Sequence, residues 1–176
     1  ESRSPWAVNP LEVNMMIFLI HVRDPQFYAL PATTRAKNGN IRIMGFPPIG
    51  IMSLSAVLKR AGHECVMFDQ ANPETPNAVI IEEIQKKQPA LIGLSFLSTT
   101  SYPYAKILTR EIRAANSKAK LAFGGVFASL NAPLVKQQCP EVDFVCRGDG
   151  EQLLLDLLEH LDDQSGVESV TWAKDG

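Results

Sequence analysis

Apolar residues follow two alternating patterns along the chain. Short apolar runs bounded by polar residues read as strands buried on both faces: Met15 to Val22, His63 to Phe68, Ala90 to Leu97, Lys120 to Phe123 and Val142 to Cys146. Between them apolar residues recur three and four positions apart, the spacing of one helix face. Ile51, Leu54, Val57 and Leu58 form the first such stripe, which stops at Gly62. Val79, Ile80, Ile81 and Ile84 form the second, after a loop marked by Pro73 and Pro76 and before Pro89. Tyr104, Ile107, Leu108 and Ile112 form the third, and Asn131 to Gln138 a short fourth. Leu153, Leu154, Leu157, Leu158 and Leu161 form the last.

Five strands alternating with five helices predict an α/β fold: a Rossmann-like or flavodoxin-like, doubly wound, five-stranded parallel sheet with helices on both faces. In such a sheet ligands bind beyond the carboxyl ends of the strands, so the residues just after each strand are the informative ones. Several common uses of the fold fail there. No Gly-x-Gly-x-x-Gly follows Val22, no phosphate-loop lysine is present, and Gly-x-Ser-x-Gly does not occur. A phosphoacceptor receiver needs an Asp at the end of the third strand, where Ser95 stands.

Composition narrows the class. The chain has 176 residues, 45% hydrophobic and 20% charged, which suits one globular domain. With 17 Lys and Arg against 19 Asp and Glu, it has no basic excess for nucleic acid. The longest apolar run, Met15 to Ile20, is far shorter than the roughly 20 residues of a membrane span. Cys65, Cys139 and Cys146 show no Cys-x-x-Cys spacing and read as buried, reduced thiols of a cytoplasmic protein, with no metal site. Residues 1–13, with Ser2, Ser4, Pro5 and Pro10, read as a leader or tail without a signal-peptide pattern, and residues 14–176 as the domain. The chain has no initiator Met, and Trp172 to Gly176 reads as a strand running into a turn. The expectation is a piece of a longer protein.

The strand ends carry small and hydroxyl residues in order. Ser95, Phe96 and Leu97 end the third strand, followed by Ser98, Thr99, Thr100 and Ser101. After 26 intervening residues from Leu97 come Gly124 and Gly125, then Val126 and Phe127. The fifth strand ends in Arg147, Gly148, Asp149, Gly150 and Glu151. Such residues let a large flat ligand approach the backbone and offer donors to a polar tail. Singly, each also serves as a helix cap or a turn. Asp149 and Glu151 suit a helix N-terminus better than acid catalysis.

Ser95-x-Leu97 and Gly124-Gly125 at this spacing resemble the Ser-x-Leu and Gly-Gly elements of the cobalamin-binding domain, over residues 14–176. The resemblance implies that the nucleotide tail of vitamin B12 lies beside the sheet, lined by Ser95 and Leu97, with Gly124 and Gly125 allowing close approach. The corrin ring then sits on top. One element of the family is missing. Aligning the glycine of its Asp-x-His-x-x-Gly motif on Gly50 puts Pro47 in place of the cobalt-ligating His and Gly45 in place of the Asp. His21 and His63 fall in or at strands and read as structural. The implied cobalamin is therefore base-off and without a His ligand.

That departure resembles the B12-binding domain of cobalamin-dependent radical SAM enzymes. Phe46 to Ile51 resembles its entry to the first helix, and Ala61-Gly62-His63-Glu64-Cys65 its step into the second strand. Arg147 to Glu151 resembles its Gly-Glu-Gly-Glu signature, with Asp149 for the first Glu. The implied cofactor-binding set is Pro47, Gly50, Ser95, Phe96, Leu97, Ser98, Thr99, Gly124, Gly125, Val126, Phe127, Gly148, Asp149, Gly150 and Glu151. The implied parent enzyme is a methyltransferase or resembles a porphyrin cyclase. Its radical SAM domain would lie in cis, with its [4Fe-4S] cluster and S-adenosylmethionine outside these residues. The present segment is then a binding module with no catalytic residue of its own. The long stretch 23–50, with Arg23, Tyr28, Arg35, Lys37, Arg42, Ile43, Met44 and Phe46, reads either as an apolar cover for the lower cobalt face or as a partner-facing loop.

Two other readings remain open in the sequence. One is a cofactor-free interaction or substrate-recognition module of the same fold. The other is a flavodoxin-like flavin binder, although only Thr33 and Thr34 offer hydroxyls after the first strand.

Overall fold

A computed structural model describes residues 14–24, 47–72, 74–115, 117–162 and 167–172. The strands are β1 (Met16–His21), β2 (Glu64–Asp69), β3 (Leu91–Ser95), β4 (Lys120–Gly124), β5 (Phe144–Cys146) and β6 (Val170–Trp172). The helices are α1 (Ile49–Arg60), α2 (Asn77–Lys87), α3 (Tyr102–Ala114), α4 (Val126–Leu130), α5 (Ala132–Gln138) and α6 (Gly150–Glu159). The sheet order is β2-β1-β3-β4-β5-β6. The first five strands are parallel, as their alternation with helices predicts. β6 adds an antiparallel edge strand, pairing Val170 with Cys146 and Trp172 with Phe144.

Strand alternation splits the core into two layers. Phe18, Ile20, Ile92, Leu94, Leu121 and Phe123 face α2, α3 and α5. Ile17, Leu19, Leu91, Ala122 and Phe144 face α1 and α6. The central strands are apolar on both faces because helices cover both.

Helix ends follow local chemistry. Proline at 89 bars continuation of α2, whose C-cap Gln88 turns left-handed at φ 47°. α1 gives way to a turn at Gly62, with φ 92°. Two details differ from the apolar spacing. The buried face of α3 is Tyr102, Ala105, Leu108, Thr109 and Ile112, leaving Ile107 exposed. The expected single helix at 131–138 is preceded by a second, α4, too short to show a period of its own.

Candidate functional site

A cavity of about 490 Å³ opens at the carboxyl ends of the strands, between α1, α6 and the sheet. Its floor follows from strand register. Leu19, Gly93 and Ala122 stand in one row across β1, β3 and β4. His21, Ser95 and Gly124 form the next row toward the carboxyl ends, with His21 outside the cavity lining. The two central strands thus present glycine, serine, alanine and glycine to the α1 and α6 side. That leaves room on the sheet which large side chains would otherwise fill. A Cβ on Gly124 would meet no atom within 4 Å, whereas one on Gly93 would stand 3.0 Å from Leu19 Cδ2.

The helices supply apolar walls. Ile51 and Leu54 of α1 and Leu153 and Leu154 of α6 line the cavity. Leu58, Leu157 and Leu158 belong to the packed core on the same face. They lie about one further turn along each helix, so they close the cavity at depth. At the mouth stand Leu97, Val126 and Leu130, which are 62%, 57% and 78% exposed. Asp149 and Glu151 lie beside them at the start of α6.

Hydrogen bonds tie the mouth together. The Ser53 hydroxyl donates to Glu151 Oε1 at 2.6 Å, joining α1 to α6. The Ser129 hydroxyl donates to the Gly125 carbonyl at 2.9 Å and accepts from the Gly148 N–H at 3.1 Å. One side chain of α4 therefore links the two glycine turns after β4 and β5. Gly125 and Gly148 both have positive φ, 94° and 82°. Among the described residues Ser95 Oγ, which lines the cavity, has no hydrogen-bond partner. Burial pushes the Cys146 thiol up to about 12, so this lining residue stays protonated near neutral pH. Among the described residues, no three His, Cys, Asp or Glu side chains gather as a metal site.

Ten of the fifteen sequence-derived site residues line the cavity: Gly50, Ser95, Leu97, Gly124, Gly125, Val126, Gly148, Asp149, Gly150 and Glu151. The other five do not. Phe96 alternates to the opposite side of β3 and is fully buried against Tyr102, Phe123 and Phe127. Phe127 joins that same aromatic cluster. Ser98 bonds Asp24 Oδ2 at 2.9 Å, and its Oγ accepts from the Ser101 N–H at the start of α3. The Thr100 and Ser101 hydroxyls lie at 2.8 and 3.0 Å from the same atom, so the Ser98 hydroxyl is engaged within its own loop and by Asp24. Thr99 is exposed and Pro47 precedes α1, neither lining the cavity. Gly125 is a lining residue, but its lack of a side chain serves the turn: a Cβ there would stand 2.4 Å from the Phe96 carbonyl oxygen.

Sequence reading missed Leu19, Ile51, Leu54, Gly93, Ala122, Ser129, Cys146, Leu153 and Leu154 as lining residues. Gly93 carried a usable signal, because a glycine inside a strand marks close approach. Of the long β1–α1 stretch, Arg23 is described: its guanidinium lies 4.6 Å from the Tyr104 ring centroid. Tyr28, Arg35, Lys37, Arg42, Ile43, Met44 and Phe46 lie outside the described residues.

Comparison with known proteins gives a family and a fold. Residues 44–158 match the B12 binding domain family. The chain is 27% identical over 133 residues to an anaerobic magnesium-protoporphyrin IX monomethyl ester cyclase of Synechocystis, covering 73% of this chain and 27% of the cyclase. It is 25% identical over 151 residues to an uncharacterized methyltransferase of Pyrococcus horikoshii, covering 84% of this chain and 32% of that protein. The fold is that of a domain of the radical S-adenosylmethionine methyltransferase TsrM from Kitasatospora setae, with TM-score 0.70 at 15% identity over 92% of this chain and 29% of TsrM. OxsB, a cobalamin-dependent S-adenosylmethionine radical enzyme solved with aqua-cobalamin and S-adenosylmethionine, gives TM-score 0.68 at 17% identity over 92% of this chain and 21% of OxsB. No helix among the described residues is long and apolar enough to cross a membrane.

Proposed function

This chain belongs to the B12-binding domain family, and on that footing we propose that it holds cobalamin with the nucleotide tail in the cavity between α1, α6 and the sheet. The single observation that carries the reading is the floor of Gly93, Ser95, Ala122 and Gly124 beneath apolar helix walls. A planar base fits a cleft whose floor lacks large side chains. A cavity of about 490 Å³ is in the ordinary range for a small-ligand site.

Each group then has a separate task. Leu54, Leu153 and Leu154 exclude water from the base. The Ser95 hydroxyl is available to a polar atom of the tail. Leu97, Val126 and Leu130 give the exposed apolar collar on which a macrocycle can rest. Ser129 and the Ser53–Glu151 bond hold the mouth in shape. Bound cobalamin supplies a cobalt centre able to carry a methyl group or to assist a radical step.

The proposal includes a base-off cofactor without a His ligand. Pro47, which cannot ligate a metal, stands three residues before Gly50. None of the three histidines lines the cavity. His21 ends β1 in register with Ser95, His63 Nδ1 accepts from the Met15 N–H at the amino end of the sheet, and His160 follows the end of α6.

The chain spans about a quarter of the cyclase it matches. For the whole protein we propose a cytoplasmic B12-dependent radical SAM enzyme, a methyltransferase or a cyclase. Its iron–sulfur cluster and S-adenosylmethionine would be held by a domain in cis. The test is retention of hydroxocobalamin through desalting. Wild type should keep the corrinoid, and Gly124→Leu, whose Cβ would meet no atom within 4 Å and whose side chain would enter the cavity, should lose it while keeping its circular dichroism. Equal retention by both would remove the tail from the cavity.

A further inference from the structure

The polar groups of the cavity are distributed unevenly. Carboxylates and the Ser53–Glu151 bond lie at the mouth. The apolar lining side chains include Leu19, in the row of Gly93 and Ala122, and Leu54, Leu153 and Leu154 on the two helices. The backbone groups of Gly93 and Ala122 are committed to the ladders of β1, β3, β4 and β5. The Ser129 hydroxyl is satisfied by Gly125 and Gly148. That leaves Ser95 Oγ, one row nearer the mouth, as the free hydroxyl on the floor.

Natural corrinoids differ in the base that ends the tail. Benzimidazole and purine bases share an imidazole ring with one free nitrogen, which a single hydroxyl can serve. The six-membered ring of dimethylbenzimidazole adds two methyl groups. That of adenine adds two ring nitrogens and an amine. In an apolar recess the methyl groups gain contact, while unmatched polar groups keep their desolvation cost. We infer that this cavity selects corrinoids by their lower base, taking dimethylbenzimidazole in preference to adenine. The inference rests on the reading above, that the tail enters the cavity.

Equilibrium dialysis of the protein against hydroxocobalamin and, separately, against its adenine-base counterpart tests it. One unmatched polar group corresponds to roughly tenfold in affinity, so cobalamin should bind at least about ten times more tightly. Leu54→Gln, which brings an amide to the wall, should narrow that ratio. Ser95→Ala should weaken both corrinoids alike and leave the ratio unchanged. Affinities equal within about twofold, or a ratio insensitive to Leu54→Gln, would overturn the selectivity while leaving cobalamin binding intact. Failure of cobalamin itself to bind would overturn the reading beneath it, and the selectivity with it.

Discussion

A Cβ placed on Gly125 would stand 2.4 Å from the carbonyl oxygen of Phe96. The residue also has φ 94° and ψ 176°, a region that only glycine visits freely. Gly125→Ala should therefore destabilise the fold by more than about 2 kcal/mol, from backbone strain and the clash together. Urea unfolding measures this. The neighbouring Gly124→Leu should leave the urea midpoint nearly unchanged, because Gly124 faces open space. Two adjacent glycines thus separate by assay, one affecting stability and the other ligand binding.

The Ser53–Glu151 bond joins the two helices that wall the cavity. Glu151→Ala removes the acceptor and a carboxylate from the first turn of α6, where the helix dipole favours it. The expected cost is about 1 kcal/mol in urea unfolding. Corrinoid release followed by stopped flow should also become faster.

Ser129 is the link between the turns that follow β4 and β5. Ser129→Ala leaves the Gly148 N–H without its acceptor and the Gly125 carbonyl without its side-chain donor. A loss of about 1–2 kcal/mol is expected, since the Gly148 N–H is exposed and can turn to water. Faster amide exchange at Gly148 is the local readout.

His63 sets a pH dependence. It is 4% exposed, its Nδ1 accepts from the Met15 N–H at 3.3 Å, and burial lowers its pKa below 6.5. The unfolded chain therefore takes up this proton more readily than the native one. Its contribution is complete above the unfolded value of about 6.5 and is lost as pH falls below it, toward the depressed folded value. The urea midpoint should drop between about pH 7.5 and pH 5.5, and His63→Gln should flatten that slope.

Much of this arrangement is legible in the sequence. Apolar runs and helical stripes give the five parallel strands and the principal helices. Small residues at successive strand ends find ten lining residues of the cavity. Where the cavity lining departs from the sequence reading, the causes are local. Strand alternation puts Ser95 and Leu97 on one side, which obliges Phe96 to take the other. Ser98 has a hydroxyl suited to a ligand, but the nearby Ser101 N–H and Asp24 carboxylate engage it. Leu54, Leu153 and Leu154 show the same spacing as the core residues Leu58, Leu157 and Leu158. Periodicity cannot tell a cavity wall from packed core when both are leucine on one helix face. The edge strand β6 is antiparallel, so its place depends on pairing with β5 rather than on alternation with helices.

The central claim is that cobalamin binds with its tail in the cavity, detached from cobalt, and without a histidine in its place. The most direct measurement is the visible and electron paramagnetic resonance spectrum of cob(II)alamin bound to the protein. The account predicts a base-off spectrum with no nitrogen superhyperfine splitting from an axial ligand. A base-on spectrum would show the tail still on cobalt and outside the cavity, and nitrogen splitting from a protein histidine would contradict the role given to Pro47.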